Sequence, residues 1–431
     1  MTDCLEAAGW QPWTFMVLAL ALGAIAVGVI LVLRRRGGRG DRRGAALGLV
    51  AAFMIGALAA GTATPLSAAA AERCVTIAED AEVAFVSGGG TFHASYRAPI
   101  DSTRPVAAAV IVGGTGAVDR DGDGAGIPMQ QYDWLAELLA AQGIASLRYD
   151  KLGTGATGLG PYEADPSRLL PLTYDELRLQ PVRDALAFLV AQPGIDPTRL
   201  LLIGHSEGGA VTLSVAADPG DAPAPAGLLL IEPAYDHILD VVPQQLAQQM
   251  HAAVAGSAMT RDDAAMLQAW MADGVDEIRS GTPPYPTPDP VPLPDATDYT
   301  AVMQSTIQAN IFGADPAQMV ISHAYRTGYG KQFDEIDPAR LAASITIPVL
   351  VTCGTKDFNT PCGDGTPGSG VAWLSPAFAP GVAEFVELTN VVHILRDVGT
   401  ADVPQLADQV AYPFSTQLER AFVAFVAQFR N

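Results

Sequence analysis

Leu200-Leu-Leu-Ile-Gly-His-Ser-Glu-Gly-Gly-Ala210 is the stretch on which the fold of this chain turns. An apolar run stops at Gly204, and Ser206 follows in a Gly-x-Ser-x-Gly frame. Small and apolar residues, Gly209-Ala-Val-Thr-Leu-Ser-Val-Ala-Ala217, continue at once. That order predicts a strand, a sharp turn with the serine at its apex, and a helix. A glycine-rich turn with an incidental serine would share the five residues but not both flanks. The glycines let strand and helix approach closely, and the helix N-terminus aims free N–H groups at charge developing beside Ser206.

A serine hydroxyl attacks well only when a base takes its proton and an acid orients that base. On a strand–turn–helix nucleophile the partners follow in the order Ser, Asp, His, each just after a later strand. Asp357 ends Ile347-Pro-Val-Leu-Val-Thr-Cys-Gly-Thr-Lys-Asp357, and His393 follows Val386-Glu-Leu-Thr-Asn-Val-Val392. Asp364 and Glu387 rival Asp357 as the acid. Of the other histidines, His205 adjoins the serine and is expected to point away from it, and His93 precedes the nucleophile. His237, His251 and His323 fall in a later insert. The oxyanion donors are expected at the N–H of Glu207 and in the loop Gly113-Gly-Thr-Gly116, at Thr115 or Gly116. The Glu207 side chain is assigned no proton transfer.

Two decoys stand nearby. Asp119-Arg-Asp-Gly-Asp-Gly124 opens like a calcium loop, but its twelfth position is Gln130, which cannot give a bidentate carboxylate. Gly153-Thr-Gly-Ala-Thr-Gly158 has dinucleotide spacing, but Gly160-Pro161 follows where a helix should open. No cofactor and no metal are therefore expected. Cys353 and Cys362 flank Asp357; in an exported protein they are placed to bridge the acid's loop, and otherwise they are two thiols.

Outward from the serine, strands are predicted at 81–86, 90–97, 106–112, 144–149, 200–203, 227–231, 349–352 and 383–388. Helical patterns fall between them at 132–141 and 174–191 and at the end over 415–429. This alternation implies an α/β fold with a mostly parallel, doubly wound sheet. The rhythm breaks over 235–344, where segments 242–254, 261–270 and 299–310 read as helices and the proline-rich stretch 283–294 as an extended loop. The domain expectation is a core in two parts, 72–234 and 345–431, with 235–344 inserted as a helical cap.

Residues 12–33 and 45–66 are uncharged and long enough to span a bilayer, and the arginine loop 34–43 lies between them. The positive-inside rule sets that loop in the cytoplasm and everything after Ala71 outside. A second reading makes 34–43 and 45–61 a signal peptide with cleavage in Leu66-Ser-Ala-Ala-Ala-Ala71. The expectation is thus an N-terminal membrane region, 1–71, with transmembrane helices. The membrane is a partner, and the body is extracytoplasmic, or secreted if the peptide is cleaved.

The net charge is -21 over 431 residues, and the first 71 carry six arginines against three acids. The rest is strongly acidic, and no basic stripe is present to hold nucleic acid. Four cysteines are too few for a disulfide scaffold.

With these residues laid out, the body resembles the α/β-hydrolase superfamily. It looks most like bacterial esterase-type serine hydrolases with a Gly-x-Gly-x-x-Asp-Arg-Asp-Gly segment. The residues that carry the resemblance are Gly114-Thr-Gly-Ala-Val-Asp-Arg-Asp-Gly122, Leu147-Arg-Tyr-Asp-Lys-Leu-Gly-Thr-Gly155 and Gly204-His-Ser-Glu-Gly208. Leu152 stands where such proteins usually have an arginine. The resemblance implies ester hydrolysis through an acyl-enzyme, with Ser206, Asp357 and His393 as triad and a small ester or acyl compound as substrate. Peptidase or amidase, thioesterase and acyl-transfer chemistry remain open on the same triad, as does a binding protein without turnover.

Overall fold

The structure is a computed structural model, and it describes residues 79–99, 104–124, 126–282, 291–294, 296–313, 326–403 and 405–430. The chain divides after Val75, and every described residue belongs to the second unit, Thr76–Asn431.

Eight strands form one sheet in the order β1-β2-β4-β3-β5-β6-β7-β8. They are β1 (Ala81–Ser87), β2 (Gly90–Arg97), β3 (Val106–Val112), β4 (Ala145–Tyr149), β5 (Ile195–His205), β6 (Gly227–Ile231), β7 (Val349–Gly354) and β8 (Ala383–Leu388). β1, β2 and β4 pair antiparallel, and the rest of the sheet is parallel. Gly88 and Gly89 turn the β1–β2 hairpin with φ of 57° and 77°, a pair of left-handed residues that matches the twist of the strands.

Every residue of β3, β4, β6 and β7 is buried, as expected for strands covered on both faces. Alternate side chains go to opposite layers. Val110, Leu202, Leu230 and Val351 pack with helices α2 (Gln180–Val190) and α3 (Glu207–Ala217) on one side. Ile111, Ile203, Ile231 and Leu350 pack with α1 (Gln131–Ala141) and the helix Thr416–Val426 on the other. A π-helical turn, Asp175–Leu179, leads into α2 where a continuous helix 174–191 was expected.

Between β6 and β7 come the helices of the cap, α4 (Ile238–Ala255), α5 (Arg261–Ser280), α6 (Asp298–Asn310) and α7 (Gly328–Asp334). Met250, Leu267, Met271 and Ile307 are buried with the larger sheet-side core, so the cap shares that core. α5 runs ten residues past the expected end at Trp270, because Trp270, Met271, Gly274, Val275 and Ile278 keep one face buried. Arg279 clamps Asp240 and Asp334 at 2.8–3.1 Å. α4 reaches the acid-bearing loop through Gln245 Nε2, which donates to the Asn359 carbonyl at 2.6 Å. Most of the proline-rich stretch, 283–290, lies outside the described residues.

The membrane expectation is corrected here. Among the described residues no helix is long and apolar enough to cross a membrane. The longest, α4 and α5, carry Asp240, four glutamines and Pro243 in one and seven charged residues in the other. The two stretches expected as transmembrane helices, 12–33 and 45–66, lie outside the described residues. The structure thus supplies no spanning helix to support a membrane partner, a signal-peptide topology or an extracytoplasmic location, and none of these is carried further.

Candidate active site

β5 ends at His205, Ser206 takes φ 58° and ψ -126°, and α3 begins at Glu207. A non-glycine residue there costs about 1–3 kcal/mol, which the surrounding packing must hold in place. Ser206 N donates to the Ile231 carbonyl at 3.1 Å, and Ser206 O accepts from Gly209 N and Ala234 N at 2.9 Å. A Cβ on Gly208 would collide with the Val112 carbonyl, and one on Gly114 would lie 2.7 Å from Ser206 Cβ. The loop after β3 therefore passes directly against the serine.

His393 and Asp357 are joined by a 2.7 Å hydrogen bond from Nδ1 to Oδ2. A carboxylate only accepts, so Nδ1 carries the proton and Nε2 keeps the lone pair that a general base needs. Asp357 also accepts from Asn359 N at 2.7 Å and Thr360 N at 3.0 Å, with Thr360 Oγ1 at 2.7 Å. Burial alone would raise its pKa, but His393 and these donors outweigh it and hold the carboxyl down at about 2. A disulfide between Cys353 and Cys362 closes the loop around Asp357. The rivals stand apart: Asp364 is exposed and accepts from Thr366, and Glu387 is exposed on β8.

Both ring nitrogens of His205 are engaged. Its Nε2 lies 2.9 Å from the His393 carbonyl and its Nδ1 3.0 Å from Tyr132 Oη. A carbonyl cannot donate, so Nε2 bears the hydrogen and Nδ1 accepts from the tyrosine. Tyr132 Oη in turn accepts from Gly114 N at 2.9 Å. Burial, and then the nearby His393, pull the His205 pKa to about 3, so the ring is neutral. One directed chain thus runs from the loop after β3, through α1 and the elbow, to the backbone of His393.

That chain uses the Gly114 amide, which leaves Thr115 and Gly116 as the loop's expected oxyanion donors beside the Glu207 N–H. The loop's carbonyls are held too: Lys151 Nζ donates to Gly114 O at 2.6 Å, and Arg178 Nη2 to Gly113 O at 3.1 Å. Burial, then Arg178, lowers the Lys151 ammonium to about 7. The Glu207 carboxylate is buried, not a surface acid. It pairs with Arg178 at 2.9 Å and accepts from Thr115 Oγ1, Tyr329 Oη and Tyr174 Oη at 3.2–3.4 Å. The strand–turn–helix signal places the Glu207 backbone but says nothing of a partner 29 residues away.

Glu232, unremarked in the sequence, follows β6 as Asp357 follows the β7 turn, and that position was its only signal. Its carboxyl is fully buried, with Oε2 3.7 Å from His393 Nδ1. His205, Glu232 and His393 bring three ligand-type atoms within 4.8 Å. The set does not suit a metal, because both His205 nitrogens are committed elsewhere. The acidic decoy closes on itself: Asp119 Oδ1 accepts from Asp121 N and Asp123 N at 2.9 Å, and Asp121 pairs with Arg148.

The serine aminopeptidase S33 family matches residues 123–363, more than half of the chain. The span takes in Ser206, Glu232 and Asp357 and stops short of His393. No curated protein matches the sequence. Among solved structures, the esterase domain of a Rhodothermus marinus protein is 17% identical, with 82% of this chain and 99% of that one covered and a TM-score of 0.42. Est1E from Butyrivibrio proteoclasticus is 15% identical, with 80% and 98% covered and a TM-score of 0.43. An acylaminoacyl peptidase from Pyrococcus horikoshii is 12% identical, with 83% and 43% covered and a TM-score of 0.45. Similarity of this depth bears on no substrate. The family match, and a His–Asp pair set beside a strained serine elbow, make the chain a serine hydrolase of the α/β-hydrolase fold that belongs to the serine aminopeptidase S33 family.

Proposed function

We propose that this enzyme hydrolyses carboxylic esters through an acyl-enzyme on Ser206. The observation that carries the reading is the 2.7 Å bond from His393 to a buried, ionised Asp357, on the strand ends beside the elbow. His393 Nε2 takes the Ser206 proton as Oγ bonds the carbonyl carbon. The oxyanion rests on the N–H of Glu207 and on Thr115 or Gly116. Collapse expels the alcohol, which leaves with the proton from His393. Water, deprotonated by the same nitrogen, then releases the acid. No cofactor enters the sequence of steps. In this reading the segment 235–344, inserted between β6 and β7, selects the acyl and leaving groups.

The family's name gives a second reading, release of N-terminal residues from peptides. Turnover of a p-nitrophenyl ester series beside aminoacyl p-nitroanilides separates the two; faster hydrolysis of the anilides would overturn the ester reading. A fluorophosphonate probe should label the wild type and not Ser206→Ala, and equal labelling of both would overturn Ser206 as nucleophile.

A further inference from the structure

The steps above leave one buried acid of the site unused. Glu232 sits at φ 47°, a left-handed backbone that is strained for a residue with a side chain. Among the described residues neither of its carboxyl oxygens has a hydrogen-bond donor. The backbone makes room for it, because a Cβ on Gly354 would stand 2.9 Å from Oε1. The ionisable groups facing it are Asp357, His393 and His205. A buried carboxyl with no donor and a strained backbone are two costs at one residue, and an apolar side chain would avoid the first. Such costs gather where a site needs the group.

Two carboxyls against one imidazole cannot both ionise without strong repulsion. Asp357 has the donors and holds the charge, and Glu232, which has none, holds the proton. Burial first, and then the Asp357 charge, push the Glu232 carboxyl well above the usual range. Protonated, it is placed to donate to Asp357.

We propose, resting on the triad reading above, that Glu232 is a second acid of the site, a positioning residue that braces the Asp357–His393 pair and takes over His393 Nδ1–H when Asp357 is removed. In the intact enzyme its proton lies between the two carboxyls, so one negative charge faces the imidazole. With Asp357 gone, Glu232 releases that proton to solvent and supplies the same single charge from 3.7 Å, closing the gap by side-chain rotation.

The test is steady-state hydrolysis of p-nitrophenyl butyrate by the full chain, for wild type, D357A, E232Q, the double variant and S206A. E232Q keeps shape and a donor but loses the acid, and it should lower kcat by about 3-fold. D357A should lose about 100-fold, less than the roughly 10⁴-fold that follows loss of a sole orienting acid. Adding E232Q to D357A should cost about 10-fold or more beyond its cost in the wild type. The D357A rate should also climb with pH as Glu232 ionises, and the double variant should lack that limb. Equal cost of E232Q in both backgrounds, with no added limb in D357A, overturns the proposal. Should E232Q fail to fold, the D357A profile alone decides, and one with no limb beyond that of the wild type is the overturning result. Failure of the triad reading looks different: S206A would keep full activity, or D357A would lose none.

Discussion

The ring of His205 donates from Nε2 to the carbonyl of His393 at 2.9 Å, so the residue before Ser206 holds the backbone of His393. Elbow and base loop come from strands β5 and β8, with β6 and β7 between them in the sheet. This bond spans that distance with a neutral side chain that has no other donor or acceptor to spare. His205→Leu should lower kcat about 10-fold with KM little changed, since it removes roughly 1–1.5 kcal/mol of positioning without touching substrate. A shift confined to KM would refute the assignment. No limb from His205 itself should appear between pH 5 and 9, because its pKa is held at about 3.

The Arg178–Glu207 pair should prove far more sensitive from one side than from both. Both groups are buried, and they pair at 2.9 Å. Arg178→Met should cost about 3–5 kcal/mol in chemical denaturation, because a buried charge is left without its counter-charge. Arg178→Met with Glu207→Gln should recover part of that loss. If the double variant is less stable than the single, the pairing account is wrong.

The two carboxyls make opposite contributions to stability as pH changes. Asp357 has a depressed folded pKa of about 2. Its contribution, roughly 2–3 kcal/mol, is present above the unfolded value near 4 and is lost as pH falls from about 4 towards 2. Glu232 has a raised folded pKa, so its favourable contribution is complete below the unfolded value near 4.3 and is lost as pH rises from there. Glu232→Gln should therefore raise the melting temperature at pH 8 and leave it almost unchanged at pH 4. Melting curves with the same offset at both pH values would contradict the assignment of the proton.

Cys353 and Cys362 are 9 residues apart, and the bridge fixes a short loop that carries both Asp357 and Thr360. Replacing the pair with alanines should cost roughly 2–3 kcal/mol of stability. It should lower kcat as well, since the acid's donors, Asn359 N and Thr360, belong to that loop. Unchanged kcat in a destabilised double-alanine variant would show that the bridge serves the fold alone.

Much of this was legible in the residues themselves. Strands covered on both faces must be apolar throughout, so β3, β6 and β7 announced themselves as unbroken runs. The turn around Ser206 was legible because only glycine fits where Gly208 meets the Val112 carbonyl. Two things stayed hidden. Glu232 reads as an ordinary acid after a strand until the sheet order brings the end of β6 beside β7. The Glu207 side chain needed Arg178, Tyr174 and Tyr329, which are distant in sequence. The N-terminal expectation rested on two apolar stretches and the arginine loop between them, and the described residues offer no spanning helix to support it.

The backbone of Ser206 carries a last consequence. At φ 58° and ψ -126° glycine is the residue at ease. Ranked by folding free energy alone, the best occupant of position 206 is therefore the one that cannot attack a carbonyl. A screen of variants for heat resistance would drift towards Ser206→Gly and return a sturdier, inert protein. Thermal tolerance and turnover pull in opposite directions at this one residue, and the serine marks which of the two has prevailed.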